Sequence, residues 1–358
     1  MRILITGICG FAGSTLAEAL LDQFNPGELT IYGLDNLSRE GAWLNCDRLK
    51  KRGVLLTHGD IRLPSDLEGI GVADWVIDAA ANPSVLAGVD GKTNSRQLIE
   101  HNLIGTVNLL EYCKHVSAGF LLLSTSRVYS VQPLAQLKIA TKGSRFVPSE
   151  SQDWPEGVSS KGISERASVS PPVSLYGATK IASEALALEY GFAFNFPVWI
   201  NRCGVLAGAG QFGRADQGIF AFWINAWLRE HPLRYLGYGG QGYQVRDCLH
   251  PRDLATVLIR QMKTQHSAQP QVCNFSGGTE NSMSLAELSE WCRDRFGPRT
   301  VAHDSSERPY DMPWIILDSQ LARDTWGWEP QTKLPDVLQE IAQHAERNPN
   351  WLSVSGAG

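Results

Sequence analysis

The 358-residue sequence predicts an α/β fold: a doubly wound parallel sheet with helices on both faces, then a smaller, discontinuous C-terminal domain. Three observations carry this. Short apolar runs alternate with longer helical patterns through the first half of the chain. Those short runs are nearly unbroken in hydrophobicity, as strands buried on both faces are. A glycine-rich turn, GICGFAG, joins the first run to the first helical pattern.

Strands are expected over residues 2–6, 29–34, 54–57, 75–79, 119–124 and 198–202, and helices over 12–23, 95–114 and 176–189. In the first helix Leu16, Ala17, Leu20 and Leu21 recur at helical spacing. Crossovers between parallel strands are right-handed. After Arg202 glycines and aromatics cluster, as in GVLAGAGQFG and YLGYGGQGYQ, around a helix expected over 218–231. The reading is a first domain over 1–202, with segments near 245–275 returning to it, and a second over 203–350. A final helix near 333–346 precedes a mobile tail, 351–358.

Composition narrows the function. Lysine and arginine total 32 against 37 acidic residues, a formal charge of −5, which argues against a nucleic-acid partner. The seven cysteines are scattered, odd in number and without CxxC spacing, so neither a disulfide framework nor a metal site is expected. No apolar run approaches the roughly 18 residues of a membrane span, and Arg2–Thr6 already reads as core rather than leader. A cytoplasmic protein with reduced thiols is expected.

The opening glycines suit a pyrophosphate. Gly7 permits a tight turn out of the strand, Gly10 lets backbone approach the anion, and Gly13 lets the helix pack closely on the sheet. The helix N-terminus then offers free N–H groups. A turn without ligand is the alternative. Asp35, after the second strand, suits adenosine ribose hydroxyls and would repel a 2′-phosphate, favouring NAD over NADP; Arg39 nearby could instead pair with that phosphate. Asp60, in HGDIR, suits the adenine edge or is an ordinary turn carboxylate. Gly91-Lys92-Thr93 imitates the end of a P-loop but lacks the upstream glycine, since Leu86 stands there. The sheet is thus expected to be Rossmann-type.

Chemistry is expected from SLYGATKIASEAL. Tyr176 and Lys180 lie four apart on one helix face. A free phenol has a pKa of about 10. A neighbouring ammonium and a positive nicotinamide would lower it, making Tyr176 a general base toward a sugar or alcohol hydroxyl. At the carboxyl end of the fifth strand, in LLLSTSRVYS, Thr125 can hydrogen-bond the reacting oxygen, with Ser124 and Ser126 as substitutes.

GICGFAG, Asp35, Asn102 in HNLIGTVNLLE, STSRVY and YGATK together resemble the extended short-chain dehydrogenase/reductase family, Rossmann enzymes acting on nucleotide sugars. DNLSREGAWLN, THGDIR, GQFGRADQG, GGQGYQVRDCLH and SGGTENSMSLAEL resemble its CDP-paratose/CDP-tyvelose 2-epimerase branch. The resemblance implies Thr125, Tyr176 and Lys180 as the catalytic set. It places Gly7, Gly10, Phe11, Ala12 and Gly13 at the NAD pyrophosphate and Asp35, Asn36, Ser38 and Arg39 around the ribose. Asp60 and Ile61 would flank adenine, Ala80 and Asn102 would lie along the cofactor, and Arg246 and Arg308 would grip the substrate diphosphate. A salt bridge to Asp247 or Asp253 is the alternative for Arg246.

The implied activity is epimerisation at carbon 2 of a CDP-sugar, through transient oxidation to a keto-sugar and re-reduction. A UDP-sugar 4-epimerase, a 4,6-dehydratase and a non-catalytic NAD sensor are the rivals, and a homodimer is implied. Two positions depart from the family: Asp78 replaces the histidine of H-x-A-A, and Val205 the asparagine of R-x-x-N. The dehydratase acid and base positions after Thr125 hold Ser126 and Arg127. The long segment between Thr125 and Tyr176 either covers the sugar site or is disordered.

Overall fold

In the computed structural model, residues 1–89, 91, 94–264 and 269–357 are described. Lys92 and Thr93 of the P-loop look-alike lie outside them. Seven strands form one parallel sheet: β1 (Arg2–Thr6), β2 (Thr30–Asp35), β3 (Leu55–His58), β4 (Trp75–Asp78), β5 (Gly119–Thr125), β6 (Val198–Cys203) and β7 (Val272–Phe275). Their order is β7-β6-β5-β4-β1-β2-β3, so the strand order reverses between β1 and β4. That reversal opens a crevice at the carboxyl ends of the strands, where ligands bind in such sheets. The expected strands match within one residue, and β7 comes from the segment expected to return.

Alternation explains the burial. Ile3, Ile5, Leu121, Leu123 and Trp199 enter the core on one face, while Leu4, Phe120, Leu122, Val198 and Ile200 enter the core on the other. Successive strand residues point to opposite faces, so a strand feeding both must be apolar throughout. Beyond the sheet, Phe220, Trp223 and Trp227 of the helix Ile219–Leu228 pack on Val337, Leu338 and Ile341 of the helix Leu334–Arg347, forming a further core.

Three expectations change. The helix over 95–114 is interrupted: Ser95–Ile99 runs into a π-helical turn, Glu100–Ile104, before Gly105–Val116. The segment after Thr125 is ordered, forming two hairpins, Ile139–Lys142 with Arg145–Pro148 and Val158–Ser159 with Gly162–Ile163. Its tip is tied to the C-terminal part, where Ser284 Oγ donates to the Ser144 carbonyl (2.6 Å) and Phe146 N–H to the Tyr243 carbonyl (2.9 Å). Asn274 on β7 donates its N–H to Glu165 Oε1 (2.6 Å) and its side-chain amide to the Ile163 carbonyl (2.9 Å). Finally, the expected mobile tail is a docked turn of helix, Trp351–Val354. Trp351 stacks on Phe212 with centroids 5.1 Å apart and donates to the Gln211 carbonyl (2.9 Å), while Ser355 is fully buried. A single large aromatic supplied the anchor.

Candidate active site

The cradle is built from backbone. Gly7 has φ +59°, and a Cβ there would lie 2.8 Å from the Ala80 Cα; at Gly13 it would lie 2.4 Å from the Gly7 carbonyl. Both glycines are therefore obligatory for the turn and for close packing. Gly10 N–H bonds the Gly7 carbonyl (3.0 Å), and the helix starts at Phe11 with no side-chain cap. The N–H groups of Phe11, Ala12 and Gly13 are left to an outside acceptor, which fits an NAD pyrophosphate.

Asp35 closes β2 beside this turn. Its Oδ2 accepts the Cys9 N–H (2.8 Å) and its Oδ1 the Leu37 N–H (2.8 Å). Burial raises its pKa, and these bonds oppose the rise. With the Gly10 N–H also directed at it, the carboxylate keeps one lone pair for a ribose hydroxyl. Asn36 donates to Asp60 Oδ2 (2.9 Å) and accepts the exposed Ser38 N–H (3.0 Å), so these predicted residues meet. Burial alone would raise the Asp60 pKa, but Arg62, at 2.7 Å, and Asn36 hold it well below the usual range.

Other predicted residues face elsewhere. Arg39 donates to the Phe212 carbonyl and stands near Arg214, tying the cradle's rim to the C-terminal part. The Ile61 side chain is buried against Gly105, where a Cβ would meet it at 2.4 Å, so only its backbone is available at an adenine edge. Asn102 lies in the π-helical turn with its amide engaged: Oδ1 accepts the Asn82 N–H (2.8 Å), and Nδ2 donates to the Asn82 carbonyl (3.0 Å) and Thr179 Oγ1 (3.3 Å). Its carbonyl accepts from Thr106 and Ser183 hydroxyls. Asn102 thus clamps the loop after β4 to the helix Leu175–Phe194. The π turn supplies the extra carbonyl this clamp uses.

That helix carries Tyr176 and Lys180, capped by Ser174 Oγ on the Gly177 N–H (3.1 Å). Tyr176 is hydrogen-bonded to Thr125. Burial pushes its phenol up to about 12, while Thr125 and the charge of Arg127 pull downward. Lys180 is fully buried; burial lowers its pKa, and Asp78 and Glu184 oppose that loss. A buried ammonium needs anionic neighbours, and these two supply them. Asp78 also accepts from the Thr6 and Thr106 hydroxyls, each at 2.9 Å. The departure from the H-x-A-A histidine is thereby explained: a carboxylate there supports the lysine.

Sequence reading missed the network behind the pair. Arg202 on β6 forks onto Glu184 (Nη2–Oε2 2.7 Å), and Ser124 donates to the same carboxylate. Arg202 also reaches the Tyr129 hydroxyl (3.3 Å), which donates to Asn274 Oδ1 (2.7 Å). The sequence signal was an Asn-Arg pair, Asn201 and Arg202, closing a mostly apolar strand.

The substrate-side arginines converge on one turn. Arg308 and Asp311 lie on it, and Arg246 Nη2 donates to Asp311 Oδ1 (2.9 Å). The alternative reading of Arg246, a salt bridge, is thus what the structure shows, with Asp311 as the carboxylate in place of Asp247 or Asp253. Asp247 points inward to the Ser276 hydroxyl and the Val205 and Leu317 N–H groups. Asp253 accepts from Gln331 and Thr332.

Comparison with known proteins places the chain. Residues 3–275 match the family model described as "NAD dependent epimerase/dehydratase family". CDP-paratose 2-epimerase of Salmonella typhi is 28% identical over 355 residues, 95% of this chain and 98% of the relative. UDP-glucuronate 4-epimerase of Thermodesulfobacterium geofontis (strain OPF15) is 25% identical, with 96% of each chain covered. The crystal structure of UDP-glucuronic acid 4-epimerase from Bacillus cereus with UDP-glucuronic acid and NAD superposes with a TM-score of 0.75 at 24% identity, covering 97% of this chain and 99% of that one. A cradle that accepts a dinucleotide and a family match over three quarters of the chain agree: this protein belongs to the NAD dependent epimerase/dehydratase family of enzymes, with NAD as its cofactor.

Proposed function

We propose that the protein epimerises a nucleotide-diphosphate sugar, most closely carbon 2 of a CDP-linked sugar. The observation that carries this is the Thr125–Tyr176 pair beside the cradle, with Arg246 and Arg308 across from it. Similarity to CDP-paratose 2-epimerase over nearly both full lengths supports the choice of carbon and base. A UDP-sugar 4-epimerase is the second reading, supported by the UDP-glucuronate 4-epimerase relative.

In this reading the turn Gly7–Gly13 holds the NAD pyrophosphate, and Asp35, Asn36 and Ser38 meet the ribose. Bound NAD supplies a hydride acceptor that later becomes the donor. Tyr176 takes the proton from the sugar hydroxyl as the carbonyl forms and returns it afterwards. Thr125 holds that oxygen in line. Lys180, fixed by Asp78 and Glu184, positions the cofactor's ribose. Arg246 and Arg308 grip the diphosphate, leaving the sugar free to present either face. A dehydratase would need acids after Thr125, and Ser126 and Arg127 supply none.

NMR of products from CDP-, UDP-, GDP- and dTDP-sugars, each deuterated at the oxidised carbon, tests this. Inversion at carbon 2 of a CDP-sugar with the label retained is expected. Loss of the label to water, or loss of water from the sugar, would sink the scheme.

We also infer a homodimer through the helices bearing Asn102 and Tyr176. Their outer surfaces expose Ile99, Ile104, Phe192 and Phe194, Phe192 at 86%. Sedimentation should give a dimer for the wild-type chain and a monomer for Ile104→Glu/Phe192→Glu; a wild-type monomer refutes the pairing.

A further inference from the structure

The geometry points to Arg127 as a third arginine of the diphosphate site, a specificity-determining residue that fits the cleft to a diphosphate carrying an uncharged sugar. This rests on the nucleotide-sugar reading above.

Arg127 sits two residues after Thr125, on the short helical turn Ser126–Val128. Its N–H donates to Thr125 Oγ1 (3.2 Å). Its carbonyl is pressed against Gly177, where a Cβ would come within 2.3 Å. The backbone of Arg127 is therefore pinned between the two groups that hold the reacting oxygen. The side chain leaves this anchor and crosses the cleft, its Nη1 reaching the Tyr310 carbonyl (3.4 Å).

The turn 308–311 gathers all three arginines. Arg308 belongs to it, Arg246 binds its Asp311 carboxylate, and Arg127 binds its Tyr310 carbonyl. Tyr310 adopts φ +58°, a left-handed conformation costly for a side chain, which holds the turn in this shape. The guanidiniums are close enough to disfavour one another: burial lowers the Arg127 pKa to about 9, with Arg246 and Arg308 adding to the fall and Asp311 and Tyr176 opposing it. Like charges are held together at a cost, and an anion between them removes it.

Charge decides which anion. Three guanidiniums against the Asp311 carboxylate leave a surplus of two positive charges, the match for a doubly ionised diphosphate. With Arg246 and Arg308 alone, Asp311 would leave the diphosphate half neutralised. No charge remains over for a carboxylate on the sugar. Arg127, nearest Thr125 and Tyr176, therefore takes the sugar-side phosphate.

The test is calorimetric binding of CDP, UDP, CMP and UMP to the NAD-loaded enzyme. Arg127→Gln is expected to weaken the preferred diphosphate about 10- to 100-fold, while its monophosphate changes less than about 3-fold. Arg127→Lys keeps the charge without the fork and should recover most of the loss. Arg127→Met takes the place of the glutamine variant should that one not fold. Equal diphosphate binding by the wild type and the glutamine or methionine variant overturns the assignment while leaving the epimerase reading intact. Failure of the wild type to bind any of the four overturns both. A third arm compares UDP-glucose with UDP-glucuronic acid. A loss on Arg127→Gln confined to the acid overturns the assignment by making Arg127 a sugar-carboxylate site; equal losses for both support it.

Discussion

Tyr176→Phe is expected to lower turnover by about 10²- to 10⁴-fold, the usual contribution of a positioned general base. The protein should still fold and still carry NAD, because the lost hydroxyl is bonded to Thr125 rather than to the cradle. The pH behaviour is more telling. In the cofactor-free protein, burial puts the phenol at about 12, with Thr125 and Arg127 pulling the other way. A base that ionises there is nearly all protonated at neutral pH. NAD+ held by the cradle would add positive charge to the site and so stabilise the phenolate. Ultraviolet titration of the wild-type protein against Tyr176→Phe should therefore show one tyrosine ionising near 12 without cofactor and at least roughly two units lower with NAD+. The rising limb of the rate against pH should follow the lower value. An unchanged rate for the phenylalanine variant, or a phenol indifferent to NAD+, would remove Tyr176 from the base role.

The largest stability effect is expected at Arg202. Its guanidinium and the Glu184 carboxylate are both buried, with side-chain exposures of 9% and 6%. Arg202→Met leaves Glu184 buried beside Lys180 without its paired guanidinium. Breaking a buried pair from one side costs about 3–5 kcal/mol. Glu184 also accepts from Ser124 and supports Lys180, so the damage reaches the helix that carries Tyr176. Chemical denaturation should show a clear fall in midpoint for Arg202→Met. The double variant Arg202→Met/Glu184→Leu should recover much of it, because neither charge is then stranded. A single variant as stable as the wild type, or a double variant less stable than the single one, would contradict a paired origin for the effect.

Much of this was legible locally. The central strands announced themselves because burial on both faces demands unbroken apolar runs. The cradle announced itself because a tight turn and a close helix approach admit only glycine. Tyr176 and Lys180 shared a face because four residues make about one helical turn. Thr125 stood out at the end of β5, where the sheet opens.

Other features were invisible for equally physical reasons. Nothing local marks a π turn: the spacing over 95–114 suits one continuous helix, and the break exists because Asn102 must reach Asn82, Thr179 and Ser183 at once. The docking of Trp351 depends on Phe212, far away in the chain. The pairing of Cys9 and Cys46 sulfurs at 3.6 Å, inside the cradle's core, also joins separate elements.

The sequence by itself determined the sheet and the glycine turn, since each rests on contacts within a few residues, and it put Tyr176 and Lys180 on one helix face. Tertiary structure alone decided which charges face which. It set Lys180 among the charges of Asp78 and Glu184, and it drew Arg127, Arg246 and Arg308 to one turn. Electrostatic partnership depends on distance through space, and the chain brings these groups together only by crossing the sheet and closing the cleft.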